Sequence, residues 1–219
     1  MIFHIITLFP QSFESVLKSS IIGRAISKKL IKLRFVNPRD FATDKHKTVD
    51  DKPYGGGKGM IMRVDILEKA LSSIPKNSHS ILLSASGKKY NQNMAKKLSK
   101  KAEITLICGH YEGIDARLEK FVDEVISVGD YILTGGELAA MVIIDTVSRF
   151  VPDVIDKDSA TNESFRQNLL EHPQYTRPED FKGQKVPKVL LSGNHGKIES
   201  YSKQESQKRT KKFRPDLLD

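Results

Sequence analysis

Cysteine is nearly absent from this chain: Cys108 is the only one in 219 residues. A single thiol closes no internal disulfide and builds no thiolate metal site, so the chain suits a reducing compartment. Long apolar runs are missing as well. The opening run Met1-Ile-Phe-His-Ile-Ile-Thr-Leu-Phe9 stops at Pro10, far short of a membrane span. It also lacks the basic flank and small-residue cleavage site of a secretory signal, so a soluble, cytoplasmic protein is expected. Neither Gly-x-Gly-x-x-Gly nor Gly-x-Ser-x-Gly occurs, and no histidine pair has metal spacing. Tyr54-Gly-Gly-Gly-Lys-Gly-Met60 has no Ser or Thr after its lysine and follows no strand, which excludes a nucleotide-triphosphate loop. A dinucleotide-dependent oxidoreductase, a serine hydrolase and a zinc enzyme all lose ground.

What is present supports a folded, basic protein. A hydrophobic content of 38% is enough for a core. The balance of 36 Lys and Arg against 27 Asp and Glu gives +9, which favours an anionic partner. The excess is local: Lys182 to Arg214 holds ten basic residues against two acidic ones, Glu199 and Glu205. That stretch reads either as a solvated tail or as a polyanion-binding surface.

Short apolar runs at Ile2–Leu8, Leu33–Asn37, Ser80–Ser84, Ile104–Cys108 and Val125–Val128 predict strands. Between them, apolar residues recur three and four apart, as at Phe13, Val16 and Leu17 or Met94, Ala95 and Leu98. The alternation predicts an α/β domain with a mostly parallel sheet and helices on both faces. Ligands of such sheets sit in loops beyond the C-terminal strand ends. The clearest helix runs from Gly136-Glu137 to about Phe150, before Val151-Pro152; a polar linker, Asp153–Asn162, and a small basic domain follow.

Three glycine-bearing loops follow predicted strands: Ser84-Ala-Ser-Gly87, Cys108-Gly-His-Tyr-Glu-Gly-Ile-Asp115 and Val128-Gly-Asp-Tyr-Ile-Leu-Thr-Gly-Gly136. Each is an ordinary tight turn or one wall of a shared pocket in which backbone groups approach a ligand closely. On the helix after the third loop, Leu138, Val142, Asp145 and Arg149 share one face. The last two form a surface ion pair, or the arginine is aimed at developing negative charge.

These residues resemble the bacterial tRNA (guanine-N1)-methyltransferases of the knotted SPOUT class. The likeness covers essentially the whole chain and is carried by Ser12-Phe through Gly23-Arg-Ala25, Pro38-Arg-Asp-Phe41, Thr48-Val-Asp-Asp51, Pro53-Tyr-Gly-Gly-Gly57, Tyr111-Glu-Gly-Ile-Asp115, Gly129-Asp-Tyr131, Gly135-Gly-Glu-Leu138, Val147-Ser-Arg-Phe150, Tyr175-Thr-Arg-Pro178 and Val189-Leu-Leu-Ser-Gly-Asn-His195. The resemblance implies a SPOUT-type α/β domain over residues 1–155 with a deep C-terminal trefoil knot. An interdomain linker over 156–166 and a small, mainly helical, basic tRNA-binding domain over 167–219 would complete the chain. The implied reaction moves a methyl group from S-adenosyl-L-methionine to N1 of guanine 37 of tRNA, next to the anticodon, where it follows a guanine.

By the same resemblance, Leu83, Ser84, Gly109, Tyr111, Val128, Gly129, Asp130, Tyr131, Ile132, Leu133, Gly135 and Gly136 bind the cofactor. Guanine N1 carries a proton at neutral pH, so a base must remove it, and charge then builds on O6. Glu163 stands where the family has its aspartate base, and Arg149 matches the family arginine that stabilises the charge. Glu171 is a second carboxylate for the base. Glu112 matches a glutamate beside the target guanine, and Glu112 and Glu163 are the candidate ligands of the Mg2+ that the family implies. An obligate homodimer with sites shared between subunits is implied, with Lys203, Lys208, Arg209, Lys211, Lys212 and Arg214 holding tRNA phosphates. Ala139 and Lys58 depart from the family pattern. Two other classes remain open: an RNA-binding protein of this fold without catalysis, and a knotted methyltransferase acting on another RNA or on ribose.

Overall fold

The computed structural model describes residues 1–14, 19–156, 164–165 and 168–218. They form two compact units, Met1–Ile155 and Asp156–Asp219. In chain order the first unit contains β1 (Ile2–Ile6), α1 (Ser20–Ser27), β2 (Lys32–Val36), β3 (Asp50–Asp51), β4 (Ile61–Met62), α2 (Val64–Ser72), β5 (His79–Lys89), α3 (Gln92–Leu98), β6 (Glu103–Ile107), β7 (Glu124–Ser127) and α4 (Glu137–Ser148).

Five of these strands build a parallel sheet in the order β2-β1-β6-β5-β7, as the alternation of apolar runs and helical segments predicts. Side-chain alternation divides the core. Phe3, Ile5, Ile81, Leu83, Ile104 and Leu106 face α1, α3 and α4. Ile6, Leu82 and Ile107 face α2 through Ile66, Leu67 and Ala70. Both faces at the centre of the sheet are therefore covered, while β2 at its edge has no fully buried residue. α3 starts where the Asn91 side chain accepts a hydrogen bond from the Met94 amide. α4 buries Ala139, Ala140, Met141, Ile143, Ile144 and Val147 and leaves Leu138, Val142 and Asp145 exposed.

β5 departs from the predicted boundary. It pairs with β7 through Ile81–Leu83 and again through Lys88–Lys89, so Ser84–Gly87 bulges out at the C-terminal end of the sheet. The bulge lies beside the loops that follow β6 and β7, which gathers three connections at one edge.

The second unit contains a hairpin of β8 (Asp180–Phe181) and β9 (Gln184–Lys185), and α5 (His195–Phe213). The hairpin is not signalled in the sequence, because two-residue strands carry no periodicity. Within α5 only Thr210 is buried. Its hydroxyl accepts from the Leu170 amide at 2.8 Å and donates to the Ser206 carbonyl at 2.8 Å. Ser206 Oγ donates back to the Leu170 carbonyl at 2.5 Å, so two hydroxyls fasten this segment to the helix.

Candidate active site

A cavity of about 280 Å³ opens at the C-terminal edge of the sheet, bounded by the loops after β6 and β7 and by the bulge of β5. Backbone groups dominate its construction. The Gly136 amide donates to the Gly109 carbonyl at 2.8 Å, which ties the third loop to the second. A Cβ at Gly136 would lie 2.7 Å from Cys108 Cα and 2.9 Å from the Gly109 amide nitrogen, so only glycine permits this crossing. Burial pushes the Cys108 thiol well above its ordinary value, and the carboxylate of Glu137 adds to the effect. The thiol stays protonated and serves as packing.

Of the residues selected from the sequence for the cofactor, Leu83, Ser84, Gly109, Tyr111, Val128, Gly129, Tyr131, Ile132, Leu133, Gly135 and Gly136 all line this cavity. Asp130 lies off its wall: it is exposed, and its carboxylate pairs with Lys89 Nζ at 2.9 Å. Tyr111 adopts the left-handed φ of 58°, and its hydroxyl accepts from Arg39 Nη2 at 3.4 Å at the rim.

Glu112 also lines the cavity. Its side chain lies against Gly59, at the end of the glycine-rich segment that sequence reasoning rejected as a nucleotide loop. Gly59 has φ of +80° and no room for a Cβ, because the Glu112 side chain occupies that space. The contact is reinforced by backbone: the Glu112 amide donates to the Met60 carbonyl at 3.0 Å, and the Met62 amide to the Gly113 carbonyl at 2.9 Å. Asp115, another wall residue, is held below the usual carboxylate range by its hydrogen bond to the Arg117 guanidinium, 2.6 Å away.

Arg149 sits at the far end of α4, half-buried, and is not part of the cavity wall. At 1.5 Å per residue, the helix carries it about 20 Å from Gly136. The third loop leads into the helix that presents this arginine, as the sequence predicts, and within one chain the arginine stands at the helix end away from the loop. Glu163 lies outside the described residues. Glu171 is half-buried, and its Oε1 accepts from Gln174 Nε2 at 2.6 Å. No group of three or more His, Cys, Asp or Glu side chains able to hold a metal occurs among the described residues.

Sequence reasoning missed several wall residues. His110, Gly113 and Ile114 lie inside a loop it had singled out, but Glu119 comes from a 3-10 turn, Ala116–Phe121, that bears no motif. Among the described residues, no helix is long and apolar enough to cross a membrane.

The model of the family described as tRNA (Guanine-1)-methyltransferase TrmD matches residues 1–219. The chain belongs to this family. Among its relatives, a tRNA (guanine-N(1)-)-methyltransferase of Carboxydothermus hydrogenoformans is 55% identical over 98% of this chain and 86% of its own. One from Dictyoglomus turgidum is 51% identical over 98% and 89%, and one from Clostridioides difficile 50% identical over 99% and 97%. Family membership gives the parallel sheet and the cavity at its edge a common meaning: they belong to a methyltransferase.

Proposed function

We propose that the chain transfers a methyl group from S-adenosyl-L-methionine to N1 of guanine 37 of tRNA, where that guanine follows another guanine. The observation that carries the reading is the cavity of about 280 Å³ walled by three glycine-bearing loops, in a chain that matches a tRNA methyltransferase family from end to end. Its donor set fits the cofactor. Val128, Ile132 and Leu133 offer apolar contact for an adenine ring, while Gly109, Gly135 and Gly136 let backbone amides and carbonyls approach the ribose and amino-acid parts. The crossing of Gly136 over Cys108 and Gly109 supports the trefoil knot.

The bound cofactor supplies an electrophilic methyl group on a sulfonium. The residues then divide the remaining work. Glu163 would take the N1 proton and so free the N1 lone pair for the methyl group that the bound cofactor would supply. Arg149 stabilises the charge that grows on O6, and Glu112, on the cavity wall, accepts from the amino edge of the guanine. Glu112, with Glu163, would be the carboxylates to hold a Mg2+ ion, which would supply a positive charge beside the guanine.

The distance of Arg149 from the cavity supports a homodimer in which one subunit's arginine serves the other's cofactor. So do Leu138, Val142, Tyr131 and Ile132, exposed apolar side chains on α4 and the loop before it, with Ile132 85% exposed. Lys203, Lys208, Arg209, Lys211, Lys212 and Arg214 lie on or at the end of α5 and present a basic surface suited to tRNA phosphates. Such a protein works in the cytoplasm, beside its tRNA.

Ala85 is exposed and lines the cavity, so Ala85→Trp blocks the mouth while leaving the core intact. Calorimetry should show S-adenosylmethionine binding to the wild type and a Kd raised about tenfold or more in this variant. Equal binding by both proteins would move the cofactor out of this cavity.

A further inference from the structure

α4 begins on a buried carboxylate that the reaction does not use. Glu137, in its first turn, is 8% exposed. Its Oε1 accepts a 2.7 Å hydrogen bond from the hydroxyl of Thr7, which lies 130 residues earlier, just past the end of β1. Thr7 Oγ1 in turn accepts from the Phe9 amide at 3.0 Å. The Phe9 ring packs on His110 with centroids 4.8 Å apart, and His110 meets the Tyr111 ring edge-on at 5.0 Å. Glu137 Oε2 turns the other way. A Cβ at Gly135 would run into it and would lie 3.0 Å from His110 Nδ1, a buried atom with no hydrogen-bond partner among the described residues.

One carboxylate therefore joins the end of β1, the loop after β6 and the loop after β7. Packing alone does not call for it. An apolar side chain would fill the same space without the cost of burying charge. What an apolar residue lacks is the acceptor for Thr7, and the helix N-terminus at which Glu137 sits favours the negative charge.

We propose that Glu137 is a positioning residue for the cofactor: through Thr7 it holds the Val128–Gly136 loop in register with the Cys108–Asp115 loop, so that Gly109, Tyr111, Gly135 and Gly136 present their backbone groups to one ligand. Glu137 reaches the cofactor only through these loops. The inference rests on the reading of the cavity as the S-adenosylmethionine site. Misplacement on the ångström scale is costly for a preorganised site, so the effect falls on cofactor affinity.

The test compares wild type, Glu137→Ala, Glu137→Gln, Thr7→Val and Ala85→Trp by calorimetry with S-adenosylmethionine, by KM for cofactor and for tRNA, and by thermal unfolding. Glu137→Ala should raise the Kd and KM for the cofactor about tenfold or more while leaving KM for tRNA near wild type. Glu137→Gln keeps an oxygen for Thr7 and should recover much of the loss. Thr7→Val should reproduce part of it, and it decides the matter if Glu137→Ala does not fold. Wild-type cofactor affinity in Glu137→Ala and Thr7→Val, whatever their melting temperatures, overturns the proposal. If Ala85→Trp binds poorly while those two bind normally, the cavity reading stands and the positioning role falls. If Ala85→Trp binds normally, the cavity reading falls first and the inference with it.

Discussion

Glu163→Ala is expected to slow methyl transfer to guanine 37 by about 10²- to 10⁴-fold, the usual worth of a general base. The reason is chemical. N1 of guanine is protonated at neutral pH, and its lone pair becomes available for the sulfonium methyl group only as that proton leaves. A carboxylate base works only when deprotonated, so the wild-type rate should rise with pH through the titration of Glu163 and then level. The alanine variant should lose that acid limb along with the rate. Glu163→Asp keeps a carboxylate at this position and should keep most of the activity. An unchanged rate in Glu163→Ala, with its acid limb intact, would give the base to another group or favour ribose methylation, which needs no base at N1. Glu171 is the second carboxylate that the sequence offers for the base, but its carboxylate already accepts from Gln174.

Arg149→Ala should lower kcat by about 10²- to 10³-fold, the scale of losing one fixed donor to developing negative charge. Arg149→Lys should recover only part, because a point charge does not reproduce the planar fork of a guanidinium. Cofactor affinity should barely move, since Arg149 stands off the cavity wall. The proposed homodimer predicts complementation. Ala85→Trp subunits retain the arginine, and Arg149→Ala subunits retain the cofactor cavity. At a cofactor concentration that leaves Ala85→Trp unsaturated, mixing and reassociating the two impaired proteins should restore activity through hybrid dimers. No recovery from verified hybrids would confine each site to a single chain.

The central sheet was legible because each strand carries a short apolar run that packs into the core, even in β2, whose residues are only half-buried or exposed; all five runs chosen from the sequence became its strands. The two hairpins, β3–β4 and β8–β9, were not, since strands of two residues leave no pattern. β5 was read too short: its pairing resumes at Lys88 after a bulge that only the neighbouring β7 defines. The three loops were legible as glycine-bearing strand ends, but the direction of individual side chains was not. Asp130 belongs to a loop whose other selected members line the cavity, yet Lys89 draws it outward. Leu138, Val142 and Asp145 do share a face of α4 with Arg149, as their spacing required, but it is the outer face, so the apolar residues there do not belong to the core. Glu137 was invisible for a different reason: its meaning depends on Thr7, and no local pattern links positions so far apart.

The chemistry itself is tested most directly by the product. Purified protein, S-adenosylmethionine and two tRNA transcripts, one with guanines at positions 36 and 37 and one with adenine at 37, should be incubated, digested and analysed by mass spectrometry of the nucleosides. The reading of Glu163, Arg149 and the cavity predicts 1-methylguanosine at position 37 of the first transcript and none from the second. A ribose-methylated product, a methyl group at another position, or no product despite normal cofactor binding would contradict it.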